Sequence, residues 1–134
     1  MIYIGIVGSR KYTNKSAVEE ILDKCIEKYG ADNICVVSGG AIGADTLGRV
    51  VALEKNLQYI EYNPSHTPWN KYSGKPKEWY DKPYNVGNYF QRNSFIAEKS
   101  NLLFAFIPAN WTSNGTNDTI NKAIKLHKYV KIIN

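Results

Sequence analysis

The sequence predicts a single α/β domain with a five-stranded parallel sheet and helices on both faces. Its 134 residues, 43% hydrophobic and 22% charged, are enough for one hydrophobic core. Short apolar runs typical of buried strands alternate with segments in which apolar residues recur at helical spacing. Several of these runs lead directly into turns that contain glycine or small residues. Such alternation is typical of parallel sheets with right-handed crossovers.

The first half of the chain contains two strand–helix units. The apolar run at 2–7 predicts the first strand. A capping-box pattern at 16–19 predicts the start of the first helix, and Gly30 predicts its end. The second strand is predicted at 34–37, and the second helix at about 44–55.

The second half completes the predicted sheet. Strands are expected at 58–62, 102–107 and 129–133, with a helix at about 88–100 between the first two. A further helix is expected to begin at the turn 114–116. Its helical spacing rests on Ile120, Ala123, Ile124 and His127.

A segment rich in proline and aromatic residues, at about 64–89, interrupts this alternation within the single domain 1–134. Long irregular segments in small domains are usually functional or disordered, and high aromatic density disfavours disorder. Three interpretations compete: a lid that stacks a base over a ligand, a platform for single-stranded nucleic acid, and an oligomer interface. The candidates for base stacking are Trp69, Trp79 and Tyr84.

Composition limits the class of protein. No apolar stretch approaches the roughly 20 residues that span a bilayer, and a signal-peptide pattern is lacking, so we expect a cytoplasmic protein without membrane contact. Cys25 and Cys35 are interpreted as reduced core residues. Because His66 and His127 are the only histidines and no Cys/His cluster occurs, neither a metal nor another cofactor is predicted.

The stretch 38–45, Ser-Gly-Gly-Ala-Ile-Gly-Ala-Asp, has the layout of a phosphate-binding turn. It follows a strand and opens a helix, whose first N–H groups are unpaired and carry partial positive charge. It lacks the Gly-Lys-Ser/Thr ending of a Walker A sequence, so it indicates a nucleotide or phosphate without identifying which. The alternative is a tight turn without a ligand. The candidate ligand-binding residues of the stretch 38–45 are Ser38, Gly39, Gly40, Ala41, Gly43 and Asp45.

Two more turns are predicted at the same edge of the sheet. Gly8-Ser9-Arg10 follows the first strand, and Gly115-Thr116 follows the fourth. The carboxyl ends of parallel strands meet at one edge, so these turns are expected to face one crevice. Arg10 would offer a planar, permanently charged fork to phosphate or carboxylate.

Together with Gln91-Arg92-Asn93 on a helix, these motifs resemble the SLOG superfamily of Rossmann-like nucleotide-binding domains. Relatives of interest are small stand-alone SLOG proteins, the Lonely Guy phosphoribohydrolases and the DNA-processing protein A family. The resemblance covers nearly the whole chain. It implies a five-stranded Rossmann-like sheet and a ligand that carries phosphate, ribose or both, with Arg92 and Asn93 among the ligand-binding residues.

The chain departs from the Lonely Guy pattern at Thr119 and in the replaced Pro-Gly-Gly segment after Pro108. Arg92 matches the family's arginine and Gly115-Thr116 its Gly-Thr, but Thr119 stands where the pattern has glutamate. Cleavage of an N-glycosidic bond passes through a cationic sugar that a carboxylate stabilises. The catalytic candidates are therefore Arg92, Asp45 and Asp118, although Asp118 falls on a different helix face from Thr119. Binding without catalysis is favoured.

The sequence thus predicts a protein that senses or sequesters a nucleotide or an ADP-ribose-like signalling ligand. A phosphoribohydrolase-type hydrolase acting on a nucleoside monophosphate is one alternative. A single-stranded DNA-binding protein is the other, with which the net charge of +5 and the pI near 9.1 are compatible. A homo-oligomer, either a dimer or a tetramer, is also expected.

Overall fold

The computed structural model describes residues 1–134 and confirms the predicted fold class. Its strands are β1 (Ile2–Gly8), β2 (Ile34–Ser38), β3 (Gln58–Glu61), β4 (Leu102–Phe106) and β5 (Tyr129–Ile133). Its α-helices are α1 (Lys15–Tyr29), α2 (Ala44–Glu54), α3 (Gly87–Lys99) and α4 (Asn114–Lys125). All strands pair in parallel, in the order β3-β2-β1-β4-β5.

Helices cover both faces of the sheet because its side chains alternate between two hydrophobic clusters. Ile4 and Val36 belong to one cluster, which includes residues of α1 and α2. Val7 and Val37 belong to the other, which includes residues of α3 and α4. β2 is buried along its whole length, as expected of a strand with a neighbour on each side and helices above and below.

Helix α1 begins earlier than the sequence predicted. Its N-cap is Asn14, whose side chain accepts a hydrogen bond from the backbone N–H of Ala17 at 3.2 Å. The predicted capping box at 16–19 is therefore wrong. Asparagine and serine are comparable N-cap residues, so the sequence alone offers two starts for this helix.

Helix α4 buries a narrower face than its sequence spacing predicted. Ile120 and Ala123 are buried, whereas Ile124 is 55% exposed. The helix ends at Lys125, and His127 lies beyond it with a φ of +60° in the turn that leads into β5. Ile124 and His127 are therefore not part of the apolar face.

The proline- and aromatic-rich segment folds back onto β3. The N–H of Glu61 donates to the carbonyl of Tyr72 at 2.8 Å, and the N–H of Gly74 donates to the carbonyl of Glu61 at 2.9 Å. Within the segment, Lys77–Trp79 forms a 3-10 helix and Tyr80 is buried. The segment is thus tied to the edge of the sheet.

Two further features concern the whole chain. Cys25 and Cys35 are buried and unpaired, and burial raises the pKa of both thiols, that of Cys35 to about 11. No helix has both the length and the apolar character that crossing a bilayer requires.

Candidate functional site

A cavity of about 380 Å³ opens at the carboxyl edge of the sheet, where β1 lies beside β4. This is the point at which the chain reverses its direction of strand addition, where α/β sheets usually bind ligands. The cavity is lined by 7–11 at the end of β1 and just after it, by parts of the β2–α2 turn, of α2 and of α3, and by the β4–α4 loop with the start of α4. The predicted ligand-binding residues that line it are Gly8, Ser9, Arg10, Ala41, Asp45, Arg92, Asn93, Gly115 and Thr116.

The remaining predicted residues of the glycine-rich turn, Ser38, Gly39, Gly40 and Gly43, are not among the lining residues. Gly43 has a φ of +85°, and a Cβ placed on it would lie 2.6 Å from the Cα of Arg10. Next to it, the N–H of Ala44 donates to the carbonyl of Ser9 at 3.2 Å. Gly43 therefore allows the β2–α2 turn to pack against the loop after β1.

Asp45 is the single acidic residue that lines the cavity, and its side chain is 6% exposed. Its Oδ2 accepts hydrogen bonds from the N–H of Gly39 at 3.1 Å and from that of Ala41 at 3.4 Å. Burial raises the pKa of Asp45 to about 6, although the Arg92 guanidinium and these two N–H groups oppose the rise. Burial in the folded protein therefore destabilises the charged form of the Asp45 carboxylate.

The raised pKa of Asp45 predicts a pH-dependent term in stability. The folded-state pKa lies above the ordinary value of 3.8, so the folded protein binds the proton more tightly than the unfolded chain. This contribution is fully present below about pH 4 and is lost as the pH rises through about 6. The difference between 3.8 and about 6 corresponds to roughly 3 kcal/mol.

The Asp45→Asn substitution removes the pH-dependent contribution of this carboxyl group to stability. Relative to the wild type, we expect the unfolding free energy of the variant to increase by roughly 2.5 kcal/mol between pH 4 and pH 7.5. Urea unfolding of both proteins at the two pH values measures this difference, in which the other titrating groups cancel. An identical pH dependence of the two proteins would contradict the prediction.

Arg92, 8% exposed, joins α3 to the glycine-rich turn. Its Nη1 donates to the carbonyl of Gly39 at 2.6 Å and to that of Tyr62 at 3.5 Å, and its Nε donates to Oδ1 of Asn93 at 3.0 Å. Burial lowers the pKa of this guanidinium, and the carboxylate of Asp45 opposes that effect. No hydrogen bond to the protein involves Nη2, although the residue lines the cavity.

The N-terminus of α4 also lines the cavity. Ser113 caps the helix, since its Oγ accepts from the N–H of Thr116 at 3.3 Å. The N–H groups of Asn114 and Gly115 have no protein partner. Arg10 and Lys11, both exposed, lie on the same cavity. The cavity lining therefore combines two side-chain cations with the positive end of a helix dipole.

Thr119 and Asp118 occupy different positions relative to the cavity. Thr119 lines it and donates from Oγ1 to the carbonyl of Gly115 at 3.3 Å. Asp118 does not line it, because its Oδ2 accepts from Nδ2 of Asn93 at 3.1 Å and pairs with Lys122 at 2.7 Å. Where the Lonely Guy pattern places glutamate, this cavity has a hydroxyl group.

Trp69, Trp79 and Tyr84 are not among the lining residues. The ring of Trp79 packs 5.4 Å from that of Phe95, Trp69 lies beneath the ammonium group of Lys77, and Tyr84 packs against His66. They lie elsewhere because their segment folds back onto β3. The aromatic residues that do line the cavity are Tyr89 and Trp111, and Trp111 is 54% exposed.

Sequence reasoning also missed a buried polar network beneath the glycine-rich turn. Glu61, 2% exposed, accepts from the hydroxyl of Tyr59 at 2.7 Å and from Nδ2 of Asn70 at 2.8 Å. Asn70 also donates to Asn63, which in turn donates to the carbonyl of Gly39 at 3.4 Å. An acid at a strand end carries no sequence signal for such burial. The network connects the fold-back segment to the turn that holds Asp45 and Arg92.

Fold and cavity together define a Rossmann-like domain with a candidate ligand site at the carboxyl edge of its sheet. A family model, DNA recombination-mediator protein A, matches residues 1–66, just under half of the chain. This match confirms the predicted resemblance to the SLOG superfamily. No group of three or more His, Cys, Asp or Glu side chains is placed to hold a metal ion.

Solved structures of the same fold include DNA processing protein A from two bacteria. The Helicobacter pylori protein, described for its single-stranded DNA binding mode, is 18% identical with a TM-score of 0.70, over 98% of this chain and 64% of that one. The Streptococcus pneumoniae protein is also 18% identical, with a TM-score of 0.73, over 100% and 50% of the two chains. This chain thus spans about half to two thirds of their length.

The molybdenum cofactor carrier protein of Chlamydomonas reinhardtii has the same fold. It is 22% identical with a TM-score of 0.66, over 98% of this chain and 76% of that one. A search of curated protein sequences gave no match. At these identities the structures establish the Rossmann-like fold.

Proposed function

We propose that this protein binds a nucleotide through its phosphate in the cavity between β1 and β4. The observation that carries the proposal is that Arg10, Lys11 and Gly115, whose N–H in the first turn of α4 is unpaired, line one cavity. Helix N-termini bind phosphate through such groups, and an arginine adds a bidentate charge-assisted contact. The volume of about 380 Å³ lies in the range of small-molecule sites.

Sensing or sequestration of a nucleotide or an ADP-ribose-like ligand fits this cavity better than hydrolysis. Thr119 supplies no carboxylate, and Asp45 already accepts two backbone hydrogen bonds on Oδ2. A phosphoribohydrolase activity would depend on Asp45 alone. Incubation with AMP and chromatographic detection of free adenine tests it, and rapid release of adenine would replace the binding proposal with the hydrolase.

A thermal-shift screen tests the binding proposal. The ligands are AMP, ADP-ribose, cyclic ADP-ribose, cyclic dinucleotides and a short oligothymidine. A ligand at about 100 times its dissociation constant stabilises the folded state by about 2.7 kcal/mol, or several degrees at this chain length. We expect a shift with a small nucleotide that Arg10→Gln weakens and Lys125→Gln, a change at an exposed lysine of α4, leaves intact. Equal shifts in both variants would remove Arg10 from the site.

Single-stranded DNA is the second candidate ligand. It is favoured by the family match over 1–66 and by the binding mode described for the H. pylori protein. The exposed ring of Trp69 beneath Lys77 fits a stacking platform. A shift with oligothymidine alone, weakening steeply with salt, would favour this candidate. The predicted dimer or tetramer stays a prediction that light scattering of the purified protein tests.

A further inference from the structure

Two charged side chains that are more than nine-tenths buried present unused polar atoms to the same cavity. Oδ2 of Asp45 accepts two hydrogen bonds from the glycine-rich turn, whereas Oδ1 makes no hydrogen bond to the protein. Nη1 and Nε of Arg92 donate hydrogen bonds to the protein, whereas Nη2 donates no hydrogen bond to it. The fully enclosed polar atoms without a partner are on Tyr80 and Ser100 only, so Oδ1 and Nη2 keep access to open space. Both residues line the cavity.

The two side chains lie close together without forming an ion pair. A Cβ on Gly39 would lie 2.5 Å from Nη1 of Arg92 and 2.7 Å from Oδ2 of Asp45. No nitrogen of Arg92 comes within 4.0 Å of a carboxylate oxygen of Asp45. The two neighbouring residues thus offer one unused acceptor and one unused donor, whose atoms lie more than 4.0 Å apart.

A sugar hydroxyl or a vicinal diol matches this pair. A hydroxyl group both donates and accepts, so it can donate to Oδ1 and accept from Nη2, each at about 2.8 Å. A phosphate group offers only acceptors at neutral pH, and the carboxylate of Asp45 repels it. We therefore assign the phosphate to Arg10 and the N-terminus of α4, which line the same cavity.

We propose that Asp45 and Arg92 form a sugar-hydroxyl subsite, so that the protein selects a ribonucleotide over its deoxy counterparts. This inference rests on the proposed binding of a nucleotide phosphate in the same cavity. It deepens that proposal, because it names the ribose hydroxyls as the second recognised group. It also separates the small-ligand candidate from DNA, whose internal sugars carry no free hydroxyl.

The test is calorimetric titration of the wild-type protein with AMP, 2′-deoxy-AMP and 2′,3′-dideoxy-AMP. A hydrogen bond to a charged group is worth about 1.5–3 kcal/mol, so we expect AMP to bind about 10- to 100-fold more tightly than the dideoxy ligand. This comparison needs no variant, so it does not depend on how a substitution affects folding.

Asp45→Asn then assigns the preference to this residue. Asparagine keeps an acceptor for the N–H groups of Gly39 and Ala41 but lacks the charge. We expect it to reduce the AMP preference over dideoxy-AMP to about threefold. Circular dichroism confirms that the variant is folded.

The outcomes separate the two proposals. Equal affinity of the wild type for AMP and dideoxy-AMP would overturn the hydroxyl subsite and leave the phosphate site standing. An undiminished AMP preference in folded Asp45→Asn would overturn the role of Asp45. Absence of binding by all three ligands would overturn both proposals.

Discussion

Arg92→Met is expected to destabilise the fold by about 3 kcal/mol at pH 7.5. Breaking a buried charged interaction by removing one partner typically costs about 3–5 kcal/mol, because the other groups stay buried without compensation. Methionine retains an apolar side chain but leaves the carbonyl of Gly39 without its 2.6 Å partner and Asp45 without the nearby positive charge. Urea unfolding of the variant and the wild type measures the effect.

Two controls make this result specific to the buried guanidinium. Arg10→Met removes the same group from an exposed residue with no protein ion pair, so it should change stability by less than about 0.5 kcal/mol. Arg92→Met should cost less in an Asp45→Asn background, because no buried anion is then left unpaired. Equal costs in both backgrounds would show that Arg92 does not compensate the charge of Asp45.

The parts of the site that sequence reasoning predicted depend on strand order and backbone conformation. The turns after β1, β2 and β4 meet because parallel strands end at one edge, so Ser9, Asp45 and Gly115 line one cavity. Glycine-rich sequences predict such turns from local sequence alone, without information on the tertiary contacts around them. They do not reveal which glycine faces a ligand, and Gly43 instead permits the close packing of two loops.

The parts that could not be predicted depend on contacts between distant residues. The course of the 64–89 segment is set by hydrogen bonds to Glu61, including one from Asn70, and no local pattern encodes them. The sequence therefore offered Trp69 and Trp79 as candidates for base stacking under one of three interpretations, whereas Trp111 lines the cavity. Trp111 stands three residues before the Asn114-Gly115-Thr116 turn, and this position was the available signal.

The Gly115→Trp variant is expected to abolish binding of a small nucleotide, lowering affinity at least 100-fold. Gly115 lines the cavity in the first turn of α4, and a Cβ on it would have no neighbour within 4 Å. The indole therefore fits without a clash at its Cβ and occupies the space next to the unpaired N–H groups. Gly43→Trp would be a poorer choice, because its Cβ would collide with the backbone of Arg10. Calorimetric titration with the nucleotide found in the screen measures the loss.

Asn117→Trp is the matched control for this variant. It adds the same indole to the same helix at an exposed position outside the cavity lining, so we expect its nucleotide affinity to stay within about threefold of the wild type. Loss of binding in both variants would indicate a general effect of the indole on α4. Binding that survives Gly115→Trp would place the phosphate away from the α4 N-terminus, and the basic, aromatic surface of the 64–89 segment would become the stronger candidate. The two variants together thus decide whether the carboxyl edge of the sheet is the binding site.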